Sequence, residues 1–121
     1  MYQFSKQIPE IGSYDIIVAG AGPAGLCAAM AAARNGAKVA LLERHGTVGG
    51  NMTLGHVGPI MGKLNVDTMA GEINRLLSDG TCLVHDMDAA KTKLMNWINH
   101  ENIELYLTCP IVDAIVEEGQ I

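Results

Sequence analysis

The chain has 121 residues, 49% of them hydrophobic, and a formal charge of −5 from 8 Lys and Arg against 13 Asp and Glu. That length gives one domain with a real core and leaves no room for two ordinary domains. The acidic balance and the scattered cations offer nucleic-acid phosphate no general attraction, so nucleic-acid binding is disfavoured.

Residues 1–13 read as an N-terminal arm. They contain Glu10 and lack a basic start joined to an apolar run, which argues against a signal peptide. Ile16 to Ala33 is an uncharged run of 18 residues, long enough for a membrane helix. Three glycines and a proline in its first ten residues make much of it small rather than lipophilic, so no membrane segment is expected.

The run instead divides into a strand, a turn and a helix. Ile16, Ile17, Val18 and Ala19 form the short apolar stretch expected of a parallel strand buried on both faces. Gly20-Ala21-Gly22-Pro23-Ala24-Gly25 follows as GxGxxG. Gly20 permits the tight turn, Gly22 lets backbone approach a pyrophosphate, and Gly25 lets helix and strand pack closely. Pro23 suits the first turn of a helix, where its missing N–H costs nothing, and the free N–H groups and positive dipole end of that helix face the phosphates. The alanine-rich helix runs from about Pro23 to Asn35, Gly36 takes the left-handed position after it, and Lys38 to Leu42 restarts a strand. Glu43 ends that strand 18 residues past Gly25, close to the spacing of about 20 expected for a carboxylate that hydrogen-bonds ribose hydroxyls. The same carboxylate disfavours a 2′-phosphate. Strand before, helix after and acid beyond make this a site for the ADP half of a dinucleotide.

Arg44 follows directly, and His45-Gly46-Thr47-Val48-Gly49-Gly50-Asn51-Met52-Thr53 adds a second glycine-rich turn. A glycine doublet lets another backbone segment approach the pyrophosphate and ribityl side of a longer cofactor, which separates FAD from NAD. Further on, Met69, Ile73, Leu76 and Leu77 fall on one face of a helix over 67–78, closed by Gly80. Asp88 is expected to cap a second helix through Asn102 with Ala90, Leu94, Trp97 and Ile98 as its stripe, Trp97 serving as packing. Ile103 to Leu107 reads as a strand, Pro110 as a break, and Ile111 to Val116 as the next strand.

With these residues in view, the chain resembles the N-terminal portion of FAD-dependent oxidoreductases of the glutathione-reductase-like flavoprotein fold, in particular a bacterial FAD-dependent oxidoreductase group. The resemblance rests on GAGPAGLCAAMAAARNGAKVALLER and VGGNMTLGHVGPIMG, with the later HDMDAAKTKLMNWINHENIELYLTCPIVDAIVEEGQI alongside. It implies an α/β, Rossmann-like three-layer FAD/NAD(P)-binding fold with a parallel sheet, incomplete in this chain, and FAD as cofactor. Gly20, Gly22, Pro23, Ala24 and Gly25 would serve the pyrophosphate, Glu43 the ribose and Arg44 the adenosine side. Gly49, Gly50 and Asn51 would border the pyrophosphate and ribityl chain, and backbone near Ile111 would approach adenine. The expected organisation is one partial FAD-binding domain over 1–121: an arm at 1–13, an ADP-binding βαβ unit at 14–50, a loop and helix insertion at 51–88, and a helix with following strands at 89–121. Related flavoproteins are several times longer, so either a fragment or a naturally short chain that needs a partner is expected, its open sheet edge covered by missing sequence or by self-association.

A disulfide reductase of that fold would carry a cysteine pair soon after the glycine doublet, and Asn51 to Gly62 has none. Cys27, Cys82 and Cys109 are an odd number without close pairing, which predicts packing residues in a reducing compartment, the cytoplasm. His45, His56, His85 and His100 show no metal-ligand spacing. Asp86, Asp88 and His85 cluster, but capping and exposure account for them, so no catalytic residue is assigned and the substrate stays unknown. The readings are the FAD-binding part of a flavin-dependent oxidoreductase, an NAD-binding Rossmann domain, or a non-catalytic split flavoprotein piece that assembles with a partner.

Overall fold

Three short strands, β1 (Ile16–Ala19), β2 (Val39–Leu42) and β3 (Ile103–Tyr106), lie side by side in that order, and both pairings are parallel. The computed structural model that shows this describes residues 1, 2 and 4–121. Parallel neighbours need crossovers. The first carries α1 (Pro23–Arg34), and the second carries α2 (Met69–Ser78) and α3 (Met87–Ile98). Two right-handed crossovers that step the same way across a sheet leave their helices on the same face.

The register bears this out. Val18, Leu41 and Leu105 are in line across the sheet, as are Ile16, Val39 and Ile103. Val39 and Leu41 are fully buried in one cluster with Leu26, Met30, Ile73, Leu94 and Ile98 of the three helices. On the opposite face Ile17, Ala19 and Glu104 are exposed. The α/β Rossmann-like arrangement therefore stands, with two of its three layers formed by the described residues. β1 departs from the expectation of burial on both faces, since Ile17 is 46% exposed. It is an edge strand whose helix-side face is only partly covered, Val18 being half-buried and Ile16 exposed, and central β2, where Val39, Ala40 and Leu41 are all buried, has the two-sided burial instead.

Helix termini account for further differences. Asp86, rather than Asp88, caps α3: its Oδ1 accepts the N–H groups of Asp88 at 3.0 Å and Ala89 at 2.9 Å, while Asp88 in the first turn pairs with Lys91 Nζ at 2.7 Å. An oxygen must precede the helix to reach its second and third N–H groups, and Asp88 already lies within it. The helix ends at Ile98, not Asn102. Asn99 leaves the helical conformation with ψ of 92°, and the Asn102 carbonyl accepts the Val39 N–H at 2.8 Å, so this stretch delivers the chain to β3.

The strand expected over Ile111 to Val116 is not formed. Thr108 adopts φ of +53°, and the Thr108 and Cys109 N–H groups donate to the His45 and Glu43 carbonyls at 3.0 and 2.9 Å. This carries the chain across the end of β2, so the following residues lie along no strand and Val112, Ile115 and Val116 are exposed.

Glu72 ties the three helices together. Its two oxygens accept from Arg34 Nη1 and Nη2 of α1, each at 2.8 Å, and Oε1 also accepts from Trp97 Nε1 of α3 at 2.7 Å. The Arg34 guanidinium lies 5.8 Å from the Trp97 ring centre. Trp97 is thus a packing residue with its polar edge satisfied. The hydrogen bonds from Arg34, then Trp97, hold the Glu72 carboxyl down from its usual 4.5 to about 2. A depressed folded pKa contributes stability above the unfolded value and loses it as pH falls through the folded one. The Arg34 and Glu72 side chains are 44% and 34% exposed, so screening limits the pair to roughly 1 kcal/mol or less. Thermal melting between pH 4.5 and about 2 should fall less steeply in Glu72→Gln than in the parent chain; parallel slopes would contradict this linkage.

Candidate functional site

The three glycines of the first turn have three separate reasons. Gly20 adopts φ of +100°, a left-handed conformation that closes the turn while its N–H donates to Leu42 O at 2.7 Å. A Cβ on Gly25 would stand 1.8 Å from the Gly20 carbonyl oxygen. Gly22 has an ordinary φ of −72° and a Cβ there would meet no protein atom within 4 Å, so only something approaching from outside would require a glycine at this position. Just beyond it α1 begins with Pro23 at its first position, without a side-chain cap and without an acidic residue in its first turn. The Ala24 and Gly25 N–H groups find no acceptor among the described residues. An uncapped helix start with free donors and a positive dipole end is suited to an anion.

Glu43 holds the turn in place. It is 6% exposed, and its two oxygens are used separately: Oε2 accepts the Ala21 N–H at 2.8 Å and Oε1 the His45 N–H at 2.9 Å. Each carboxylate oxygen has a second lone pair, which leaves capacity for hydroxyl donors. The Ala21 carbonyl accepts the Gly49 N–H at 2.8 Å, so Ala21 is held through both of its backbone polar groups.

The second glycine turn is packed against the first. Gly49 has φ of +103°, and a Cβ there would stand 2.5 Å from Thr53 Cγ2 and 2.8 Å from Leu94 Cδ1. On Gly50 it would stand 3.1 Å from Gly22 Cα. Thr53, fully buried, donates its hydroxyl to Val48 O at 2.7 Å and fixes the single 3-10 turn Gly50–Met52 between them.

The remaining predicted residues lie on the rim. Arg44 is exposed, with Nε 3.0 Å from His45 Nε2, and Asn51 is exposed, its carbonyl accepting the Val57 N–H at 2.9 Å. Two hollows meet at Glu43 and Arg44. One, of about 240 Å³, is bounded by Gly20, Leu42, Cys109 and Ile111. The other, of about 390 Å³, is bounded by His45, Gly50, Asn51 and Leu54. Gly20, Glu43, Arg44, Gly50, Asn51 and Ile111 line these hollows, while Gly22, Pro23, Ala24, Gly25 and Gly49 line neither and sit in the two adjoining glycine turns, at the C-terminal ends of the parallel strands, where ligands bind in open α/β sheets.

Sequence reasoning missed His45, whose backbone N–H and carbonyl serve Glu43 and Thr108, and Cys109, read there as packing alone. The available signal for Cys109 was its place just past β3 and two residues before Ile111. Asp86 and Asp88 are engaged in the cap and the Lys91 pair. Among the described residues no three His, Cys, Asp or Glu side chains are grouped to hold a metal ion, and no helix is long and apolar enough to cross a membrane.

The family model described as FAD dependent oxidoreductase matches residues 15–121. A soluble pyridine nucleotide transhydrogenase from Hahella chejuensis is 54% identical over 50 residues, 41% of this chain and 10% of that protein. An uncharacterized protein in the nifH2 5′ region of Methanosarcina barkeri is 60% identical over 42 residues, 35% of this chain and 22% of that protein. Among solved structures, histamine dehydrogenase from Rhizobium sp. 4-9 aligns with 88% of this chain and 13% of its own, at 22% identity and a TM-score of 0.44. The aligned stretches thus cover only 10% and 22% of those two curated relatives.

Glu43→Gln places an amide N–H₂ against one of two backbone donors, leaving that donor unpaired at a cost of about 1–3 kcal/mol. The melting temperature should fall by roughly 5 °C or more. An unchanged melt would contradict the two-sided grip of this carboxylate.

Proposed function

Because the chain belongs to the FAD dependent oxidoreductase family, we propose that the paired hollows beyond the strand ends hold the ADP half of that family's cofactor, FAD. The observation that carries this reading is the helix start: free N–H groups open onto clear space in front of Gly22, while Gly50 packs close behind it. These residues fit a pyrophosphate. The Ala24 and Gly25 N–H groups and the dipole of α1 would bind it, with Pro23 setting the first turn. Glu43 would accept the ribose hydroxyls and exclude a 2′-phosphate by charge. Arg44 would lie along the adenosine side, Ile111 would line the adenine end, and Gly49, Gly50 and Asn51 would border the pyrophosphate and the ribityl chain.

The flavin, when bound, supplies hydride or electron transfer. What this chain contributes in our reading is binding and orientation of the nucleotide end. Oxidation of a substrate needs a shaped environment around the flavin ring, which the residues at the strand ends do not provide, so we expect the 121-residue chain to bind without turning over. The exposed face with Ile17 and Ala19, and the outer edges of β1 and β3, are where further sequence or a second copy would complete the sheet. Three unpaired cysteines favour a reducing compartment such as the cytoplasm.

Mixing the purified chain with FAD and desalting the mixture tests the reading. Visible flavin absorbance should co-elute with the protein and show no bleaching with NADH or NADPH. Gly22→Ala, whose Cβ meets no protein atom within 4 Å, should lose at least about tenfold in affinity, some 1.4 kcal/mol, while melting within a few degrees of the parent. Flavin that elutes wholly free of the parent chain contradicts the proposal.

A further inference from the structure

The outer edge of β3 carries an unpaired row of backbone groups. On its inner side the Asn102 and Tyr106 carbonyls accept the Val39 and Glu43 N–H groups, both at 2.8 Å. By the alternation of a strand, Glu104 faces β2 as well, while Ile103, Leu105 and Leu107 turn their polar groups outward. Two of those groups are satisfied within the chain: the Ile103 N–H donates to His100 O at 2.9 Å, and Leu107 O accepts the Thr108 hydroxyl at 2.7 Å. The Leu105 and Leu107 N–H groups and the Ile103 and Leu105 carbonyls have no partner among the described residues. On the helix side of this edge lies a hollow of about 300 Å³ bounded by Met95, Ile98, Ile103 and Leu105. On the opposite face Glu104 and Tyr106 stand already ordered. Tyr106 donates its hydroxyl to Glu104 Oε1 at 2.7 Å, and the Tyr14 hydroxyl donates to Glu104 and lies 2.6 Å from that of Tyr106.

Of the two open edges, we propose that β3 takes a second copy of this chain, strand to strand and antiparallel, about a two-fold axis at Leu105. Centred there, Leu105 opposes its counterpart, Ile103 opposes Leu107, and Glu104 opposes Tyr106. The unpaired groups then meet. Each Leu105 N–H faces the Leu105 carbonyl of the other chain, and each Leu107 N–H faces the Ile103 carbonyl. The two groups this pairing leaves over, the Ile103 N–H and Leu107 O, are those already satisfied internally. On the helix side Leu105 and Leu107 of one copy come against the apolar hollow of the other. On the open face a carboxylate meets a phenol twice, once on each side of the axis, in the closer-spaced kind of cross-strand pair. Sliding the strands by two residues sets Glu104 against Glu104, a repulsion added to a charge of −5 on each chain. Sliding them the other way brings in Thr108, whose φ of +53° has left the strand. The contact is therefore self-complementary in one register, as a closed two-fold dimer requires. The edge of β1 has no such donor and acceptor, since Ile17 and Ala19 are the residues on its open face.

Sedimentation equilibrium of the purified chain should show the mass rising from the 12.8 kDa of one chain toward twice that value between about 1 μM and 1 mM. Residue-resolved amide hydrogen exchange identifies the edge. The Leu105 and Leu107 amides should slow at least about tenfold from the dilute to the concentrated sample, while the Glu104 and Tyr106 amides, bonded to β2, should change less than about twofold. Tyr106→Glu, which sets like charges across the axis, should weaken the dimer at least about tenfold, and adding Glu104→Lys to it should restore association to within about threefold of the parent. Melting curves of both variants check that they fold. A chain that keeps the mass of one copy throughout, or a dimer whose Leu105 and Leu107 amides exchange as fast as in the single chain, overturns the inference. Either result leaves the cofactor reading standing, because flavin co-elution is measured separately and depends on the glycine turns and Glu43.

Discussion

A buried carboxylate must find hydrogen-bond donors, and Glu43 finds them in the two backbone segments whose relative position defines the site. Burying an ionised group without such partners costs several kcal/mol. Its bonds to the Ala21 and His45 N–H groups therefore act as a constraint on the fold, fixing the first glycine turn against the end of β2. The other contacts follow from that placement. Gly49 reaches the Ala21 carbonyl, Gly50 packs on Gly22, and the reversal at Thr108 lands on the carbonyls of Glu43 and His45. The site is thus built almost wholly from backbone groups, with one acidic side chain as its fastener.

That arrangement explains a division of labour among the glycines. Gly20 and Gly25 answer demands internal to the protein, one for a left-handed turn and one for the close approach of a carbonyl. Gly22 has no such internal demand, since a Cβ there would meet no protein atom within 4 Å, and in the proposed reading it answers to the ligand. Stability and binding can accordingly be perturbed separately within six residues of sequence. The helical side of the sheet is organised differently. There Glu72 gathers Arg34 and Trp97 on the surface of a core made by Leu26, Leu41, Leu94 and Ile98.

The placement of the candidate site's residues was largely legible in the sequence because its demands are local and steric. A glycine needed for φ or clearance leaves a fixed spacing, and Pro23 and Glu43 mark where a helix starts and a strand ends. What was not legible depends on backbone hydrogen bonds between distant segments, which carry no residue signature. The grip of His45 on Glu43 and the crossing at Cys109 are of this kind. The same cause misled the reading of Ile111 to Val116: the apolar pattern suits a strand, but a strand exists only beside a partner, and the bonds at Thr108 and Cys109 lead the chain elsewhere. β1 shows the converse, since four apolar residues with a parallel partner satisfy the pattern although one face stays open. At α3, sequence placed the helix but put the cap two residues late, because Asp86 and Asp88 are chemically identical candidates and only the path of the chain separates them.

The central claim is that this chain recognises the adenosine diphosphate end of its cofactor and not the flavin ring. Calorimetric titration of the purified chain with FAD, ADP and FMN, at one pH and ionic strength, addresses it most directly. The account predicts that ADP and FAD bind with affinities within about tenfold of each other, a difference of at most 1.4 kcal/mol, and that FMN, which lacks the adenosine and one of the two phosphates, gives no measurable heat. Tight FMN binding with silent ADP would contradict it.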